Sequence, residues 1–188
     1  MTKIYFVRHA QADNSINDTS VRPLTEKGWS DTRRVTATLK NIDIAAIYSS
    51  PYRRTIETVA HLAAERNLNI QRVDDFRERA VGEGWNGELP SLAKLQWADL
   101  DFKSGNGESL REVQARNTKA LYGVLATEGS SNIVIATHGT ALSTIMAHFI
   151  PEFSYDDFLV RIDRLPYIIC ITFNEGRFEK MEDIEVVN

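Results

Sequence analysis

The sequence predicts an α/β protein with a mostly parallel central sheet and helices on both faces. Three observations predict it. Short β-rich runs alternate with helix-like patterns through the first half of the chain, which is the signature of a parallel sheet with crossover helices. Residues 132–137 form a nearly continuous apolar run, as a strand covered on both faces requires. Two helix starts also carry N-terminal signals, Thr25 before Glu26 and Ser50 before Pro51.

The elements follow in order. Residues 3–7 read as the first strand. A polar stretch ends at Arg22-Pro23-Leu24, and residues 26–40 read as the first helix, with Thr25 as its cap and Glu26 in its first turn. Residues 44–48 form the second strand. A helix follows from Ser50 and Pro51 to about Arg66, and residues 68–73 form the third strand. Residues 74–90 carry scattered glycine and charge and read as a long loop, and 91–100 as a short helix. Gly105-Asn106-Gly107 breaks the chain. Leu110, Val113, Asn117, Leu121, Val124 and Leu125 then share one helical face on which only Asn117 is polar. Residues 139–148 read as a further helix. From residue 158 onward the tail reads as strands, with Asn174-Glu175-Gly176 as a hairpin turn.

Composition limits the function classes. The 188 residues fit one domain, here 1–188, with a small cap or lid inserted around 74–107. Hydrophobic residues at 43% and charged residues at 26% belong to a globular chain and exclude long disorder. A net charge of −4 argues against nucleic-acid or anionic-membrane partners. Any bound anion therefore requires a local cluster of arginines. Cys170 is the single cysteine, so no intrachain disulfide forms. The first apolar run is too short for a signal peptide, and the stretch 165–173 is far below spanning length. The expected location is the cytoplasm.

Ligands of open α/β sheets bind beyond the carboxyl ends of the strands. Three such ends carry chemistry: Arg8-His9 after the first strand, Ser49-Ser50-Pro51-Tyr52-Arg53-Arg54 after the second, and Thr137-His138-Gly139 after residue 136. Two histidines and several arginines thus converge on one sheet edge. The planar arginine fork suits phosphate, and nearby arginines keep an imidazole neutral and nucleophilic. That set suits phosphoryl transfer, which needs positioning, charge stabilisation and a proton for the leaving oxygen.

These motifs resemble, in order, those of the histidine phosphatase superfamily, which includes phosphoglycerate mutases and related phosphatases. Arg8-His9-Ala10 resembles its Arg-His-Gly signature. Pro23-Leu24-Thr25 with Gly28 resembles the approach to its first helix. The segment 49–54, Gly107-Glu108-Ser109 and Thr137-His138-Gly139 resemble its later elements. The resemblance implies a three-layer phosphoglycerate mutase-like sandwich. It makes His9 the nucleophile that becomes phosphohistidine, Arg8 and Arg54 the phosphate clamp, and His138 the group completing the pocket. It implies no metal and no organic cofactor. Phe76-Arg77-Glu78, followed by the stretch 82–87, resembles the family's acid-bearing segment. Glu78 is then the proton donor, with Glu83 as its rival because Gly84 interrupts the pattern. Ser15 stands where the family often has a phosphate-binding asparagine. Ala10 replaces the family's glycine, which is harmless unless the position needs positive φ.

The leading function is a metal-independent phosphatase acting on a small phosphomonoester. The chain is short between the third strand and the final helix; such a small cap favours water access and hydrolysis, and it leaves open a phosphoprotein substrate. The alternatives are a phosphoglycerate mutase-type transferase, a non-catalytic phosphate-binding module, and a metallohydrolase using His9, His138 and Glu78. His61 and His148 receive no function. Arg77 and Arg79 are either surface groups or extensions of the pocket. Trp29, Trp85 and Trp97 read as packing residues. The sequence leaves the oligomeric state open.

Overall fold

The structure is a computed structural model that describes residues 1–83, 85 and 88–187. Among these residues six strands form one sheet: β1 (Thr2–Arg8), β2 (Ile44–Ser49), β3 (Ile70–Arg72), β4 (Asn132–Thr137), β5 (Tyr167–Asn174) and β6 (Arg177–Ile184), in the order β3-β2-β4-β1-β5-β6. The first four are mutually parallel, while β5 and β6 run antiparallel at one edge. The helices are α1 (Glu26–Thr38), α2 (Arg53–Arg66), α3 (Leu89–Ala98), α4 (Leu110–Glu128), α5 (Gly139–Phe149) and α6 (Tyr155–Ile162).

Strand alternation divides the core into two layers. On one face Ile4, Phe6, Tyr48, Ile133, Ile135, Ile169 and Ile171 meet Leu121 and Val124 of α4 and Leu142, Ile145 and Met146 of α5. On the other, Tyr5, Val7, Ile47, Val134, Ala136, Ile168 and Cys170 meet Val35 of α1 and Val59, Leu62 and Ala63 of α2. Every described side chain of β4 beyond Asn132 is buried, as its apolar run predicts. None of the described helices is long and apolar enough to cross a membrane.

Local signals explain most boundaries. Thr25 caps α1 by accepting the Gly28 N–H at 3.1 Å. Ser109 and Glu112 close a reciprocal capping box at α4, which fixes where the longest helix begins. Gly28 is required by a close approach: a Cβ there would lie 2.2 Å from the Gln11 carbonyl oxygen.

Four expectations are corrected. α2 begins at Arg53 rather than at Pro51, and Tyr52, not Ser50, takes the cap position. The Ser50 hydroxyl accepts the Tyr52 N–H at 3.2 Å but also faces a histidine, so it tightens a turn ahead of the helix. The tail does not become sheet at residue 158. The segment from Tyr155 to Ile162 is α6, held by a capping box of Ser154 and Asp157, and its Phe158 is buried against Trp97. Trp97 packs as expected, whereas Trp29 is 46% exposed on α1. The third strand is only three residues long, because Leu68 is still taken up by the end of α2 through a bond to Ala63.

Candidate active site

The parallel register places the three chemistry-bearing strand ends side by side. Arg8 is opposite Thr137 and Ser49 opposite Ala136. The His9 N–H continues the ladder to the Thr137 carbonyl at 3.1 Å, and the Ser50 N–H to the Ala136 carbonyl at 2.9 Å. His9 and His138 therefore meet, their ring centroids 5.4 Å apart and their planes at 65°.

The tautomer of His9 follows from its partner. Its Nδ1 lies 2.7 Å from the Ala10 carbonyl oxygen, which can only accept. Nδ1 thus carries the proton and Nε2 keeps its lone pair. Burial, then Arg54, Arg8 and Arg22, push the imidazole from its usual 6.5 down to about 3, against the opposing bond to Ala10. The ring is neutral at physiological pH. Ala10 is itself fully buried, its N–H donates to Thr58 Oγ1 at 2.9 Å, and it is not among the residues with positive φ. Alanine is therefore tolerated where the family signature has glycine.

Arg54, at the start of α2, is buried and stacks over the Tyr52 ring at 5.1 Å. Its Nη2 lies 2.9 Å from His138 Nδ1, and its Nη1 donates to the Thr19 carbonyl in the loop between β1 and α1. Arg53, by contrast, is exposed and pairs with Glu57 at 2.7 Å. Burial, then Arg54, His9 and Arg8, hold His138 well below the usual imidazole range.

Arg8 is 8% exposed, and its Nη1 donates to three carbonyls at the end of α6: Ile162 at 2.6 Å, Arg161 at 3.1 Å and Arg164 at 3.3 Å. A cation suits the negative end of a helix. Its Nε is buried without a hydrogen-bond partner among the described residues. Gly139 makes room for this guanidinium, since a Cβ there would sit 3.1 Å from Arg8 Nε.

Glu78 reaches the same corner from the loop after the turn at Asp74–Phe76. Its carboxylate accepts the N–H of Thr140 and of Ala141, each at 3.1 Å, at the N-terminus of α5, and the Arg79 N–H at 2.8 Å. Burial lowers the pKa of both Arg8 and Arg54, and Glu78 is the neighbour that most opposes it.

The sequence reading missed the group that holds this segment. Arg116 of α4 donates to the carbonyls of Asp75 (2.7 Å), Arg77 (2.9 Å) and Glu78 (3.2 Å), and grips both oxygens of Glu108 at 2.7 and 2.9 Å. Glu108 also accepts the Ala80 N–H at 2.9 Å and pairs with Arg77 at 2.8 Å. Burial raises the Glu108 pKa, but its hydrogen bond from Arg116, the Ala80 N–H and the two arginine charges outweigh it, and the carboxyl sits below its ordinary value. Arg77 is thereby a structural partner. Arg79 donates to the buried Gln96 of α3.

Two candidates stand apart. Ser15 is exposed, and both its N–H and hydroxyl are turned onto Asp13 Oδ1, at 2.9 and 2.7 Å, rather than toward the histidines. Glu83 is exposed, its N–H bonded to Asn106 Oδ1 at 2.8 Å. Of the acid-bearing stretch 82–87, residues 84, 86 and 87 lie outside the described residues. Among the described residues, no group of three His, Cys, Asp or Glu side chains is placed to hold a metal ion. His61 bonds Thr36 at 3.0 Å, and His148 packs on Tyr122 and Phe149.

The chain is 28% identical over 166 residues to a 2,3-bisphosphoglycerate-dependent phosphoglycerate mutase of Rhizobium etli, covering 77% of this chain and 78% of the mutase. Its fold is similar to that of a phosphoserine phosphatase mutant from Entamoeba histolytica in complex with phosphoserine, with a TM-score of 0.80, 20% identity, and 99% and 98% of the two chains covered. It is also similar to a mycobacterial glucosyl-3-phosphoglycerate phosphatase, with a TM-score of 0.78, 18% identity, and 96% and 97% covered. The pattern of the histidine phosphatase superfamily (branch 1) matches residues 4–182, and the chain belongs to that family.

Proposed function

We propose that this protein is a phosphatase that hydrolyses a phosphomonoester through a phosphohistidine on His9. The observation that carries the reading is the His9 ring itself. It is neutral, with its proton committed to the Ala10 carbonyl and its Nε2 lone pair without a partner among the described residues, beside Arg54 and His138.

In the first step Glu78 enters as the neutral acid; Nε2 attacks phosphorus, the ester P–O bond breaks, and Glu78 gives its proton to the leaving oxygen, which leaves it as the carboxylate. In the second, the Glu78 carboxylate takes a proton from water. The resulting hydroxide attacks phosphorus, the P–N bond breaks, and His9 is regenerated. Arg8 and Arg54 bind the phosphoryl oxygens, and His138 completes the pocket. Thr140 and Ala141 orient the Glu78 carboxylate, and Arg116 fixes the backbone that carries it. For Ser15 to reach the phosphate, its turn must release Asp13. The segment 74–107 acts as a small lid, anchored by Arg116, Glu108 and Gln96. No metal or organic cofactor enters these steps.

The second reading is a mutase, favoured by the identity to the Rhizobium mutase. It shares the first step and returns the phosphoryl group to a second hydroxyl instead of water. Phosphate release from an aryl phosphate, with and without chelator, tests the proposal in wild type and His9→Ala. Turnover that ignores chelator and falls at least 1,000-fold or so in His9→Ala supports it. Full activity in His9→Ala refutes it. Transfer between phosphoglycerates without net phosphate release selects the mutase.

A further inference from the structure

We propose that Ser50 is a positioning residue: its hydroxyl accepts the His138 Nε2 proton and so holds the tautomer in which the ring can receive Arg54. The kinetic consequence rests on the phosphatase reading; the structural content does not.

β2 delivers Ser50 to the site, fully buried, with its N–H pinned to the Ala136 carbonyl at 2.9 Å. Its Oγ lies 2.8 Å from His138 Nε2. On the other side of the ring, Arg54 Nη2 lies 2.9 Å from Nδ1. A guanidinium has donors only, so Nδ1 must offer its lone pair. The one proton of the neutral ring then sits on Nε2 and is donated to Ser50 Oγ. The same oxygen accepts the Tyr52 N–H at 3.2 Å, so both of its lone pairs are in use. A directional chain results: Arg54 donates to His138, His138 donates to Ser50, and the other Arg54 nitrogen donates to Thr19. It ties the ends of β2 and β4, the start of α2, and the loop after β1 into one unit.

Removing the hydroxyl strands a buried Nε2–H without an acceptor. The ring relieves this by moving its proton to Nδ1, which then confronts the Arg54 donors and turns the guanidinium away. Groups that orient a functional histidine in metal sites are typically worth roughly 10–100-fold, and a similar fall in kcat/KM is expected here.

The test uses two-bond proton–nitrogen NMR on the ligand-free, uniformly labelled protein at neutral pH. Wild type should show His138 protonated at Nε2. Ser50→Ala should move the proton to Nδ1 and lower kcat/KM on an aryl phosphate by roughly 10–100-fold. Ser50→Thr, which keeps the hydroxyl, should restore both. A Ser50→Ala protein whose His138 keeps the Nε2–H tautomer overturns the proposal, as does a wild type protonated at Nδ1. Absence of turnover in wild type strikes the phosphatase reading alone, and the NMR comparison still decides the role of Ser50.

Discussion

Moving from neutral pH to about pH 5 should destabilise this fold through His9. Burial, with Arg54, Arg8 and Arg22 nearby, pushes the ring from 6.5 to about 3. Between those values the unfolded chain binds a proton that the folded chain does not. Stability therefore falls as pH falls through that window, and it recovers as pH rises toward 6.5. At about pH 5 the unfolded imidazole lies roughly 1.5 pH units below its own pKa, worth about 2 kcal/mol. That is a large share of the roughly 5–15 kcal/mol that holds a typical domain together. His138 is displaced in the same direction and adds to the effect. His9→Asn removes one of the two titrations. Urea unfolding of both proteins at about pH 7 and about pH 5 isolates it, because each protein serves as its own reference. The variant should lose about 2 kcal/mol less than wild type. Equal losses would refute the assignment of a neutral, desolvated His9 and, with it, the tautomer argument for the nucleophile.

Two further substitutions probe the supports of the site. Arg116→Met removes the donor of three carbonyl bonds and leaves the half-buried Glu108 without its bidentate partner, so a loss of about 2–4 kcal/mol is expected by thermal or urea melting, with a lowered kcat from a displaced Glu78. A stable variant with wild-type kcat would show that Glu78 is positioned without it. Gly139→Ala places a Cβ 2.8 Å from Ile162 Cδ1 and 3.1 Å from Arg8 Cζ, and Arg8 is held by three carbonyls and has little room to yield. Overpacking of about 1–3 kcal/mol and a raised KM for the phosphoester should follow; an unchanged KM and melting temperature would show that Arg8 moves freely.

The residues that converge were legible in the sequence because convergence depends only on strand order and register. Once residues 3–7, 44–48 and 132–137 are parallel strands, Arg8, His9, Ser50, Arg54 and His138 must share an edge. The directions of their side chains were not legible. Ser50 reads as a helix cap because Pro51 follows it, yet the chain needs one more turn before α2, which frees the hydroxyl for His138. Arg116 sits among polar residues on α4, and nothing nearby in sequence says that its partners are carbonyls some forty positions earlier. α6 hid behind apolar residues that suit a strand equally well. Its signal was Ser154 followed three residues later by Asp157, a capping pattern at the start of the segment.

The site in this state satisfies its own charges, and that bears on how it can work. Arg54 is held by Thr19 and His138, Arg8 by the carbonyls ending α6, and the Glu78 carboxylate by the first amides of α5. A phosphoryl group binding here exchanges with hydrogen bonds already formed rather than ordering free side chains, so little conformational entropy is lost on binding. The exchange is unequal among the groups. Arg8 has a buried Nε–H without an acceptor among the described residues, so it has a donor to offer a phosphate oxygen without surrendering its carbonyls. Arg54 has both terminal nitrogens engaged, one of them on the loop after β1. Its turn toward phosphate must loosen either that loop or His138. On the phosphatase reading proposed above, phosphate binding and the position of the loop that carries Thr19 are therefore coupled through one guanidinium.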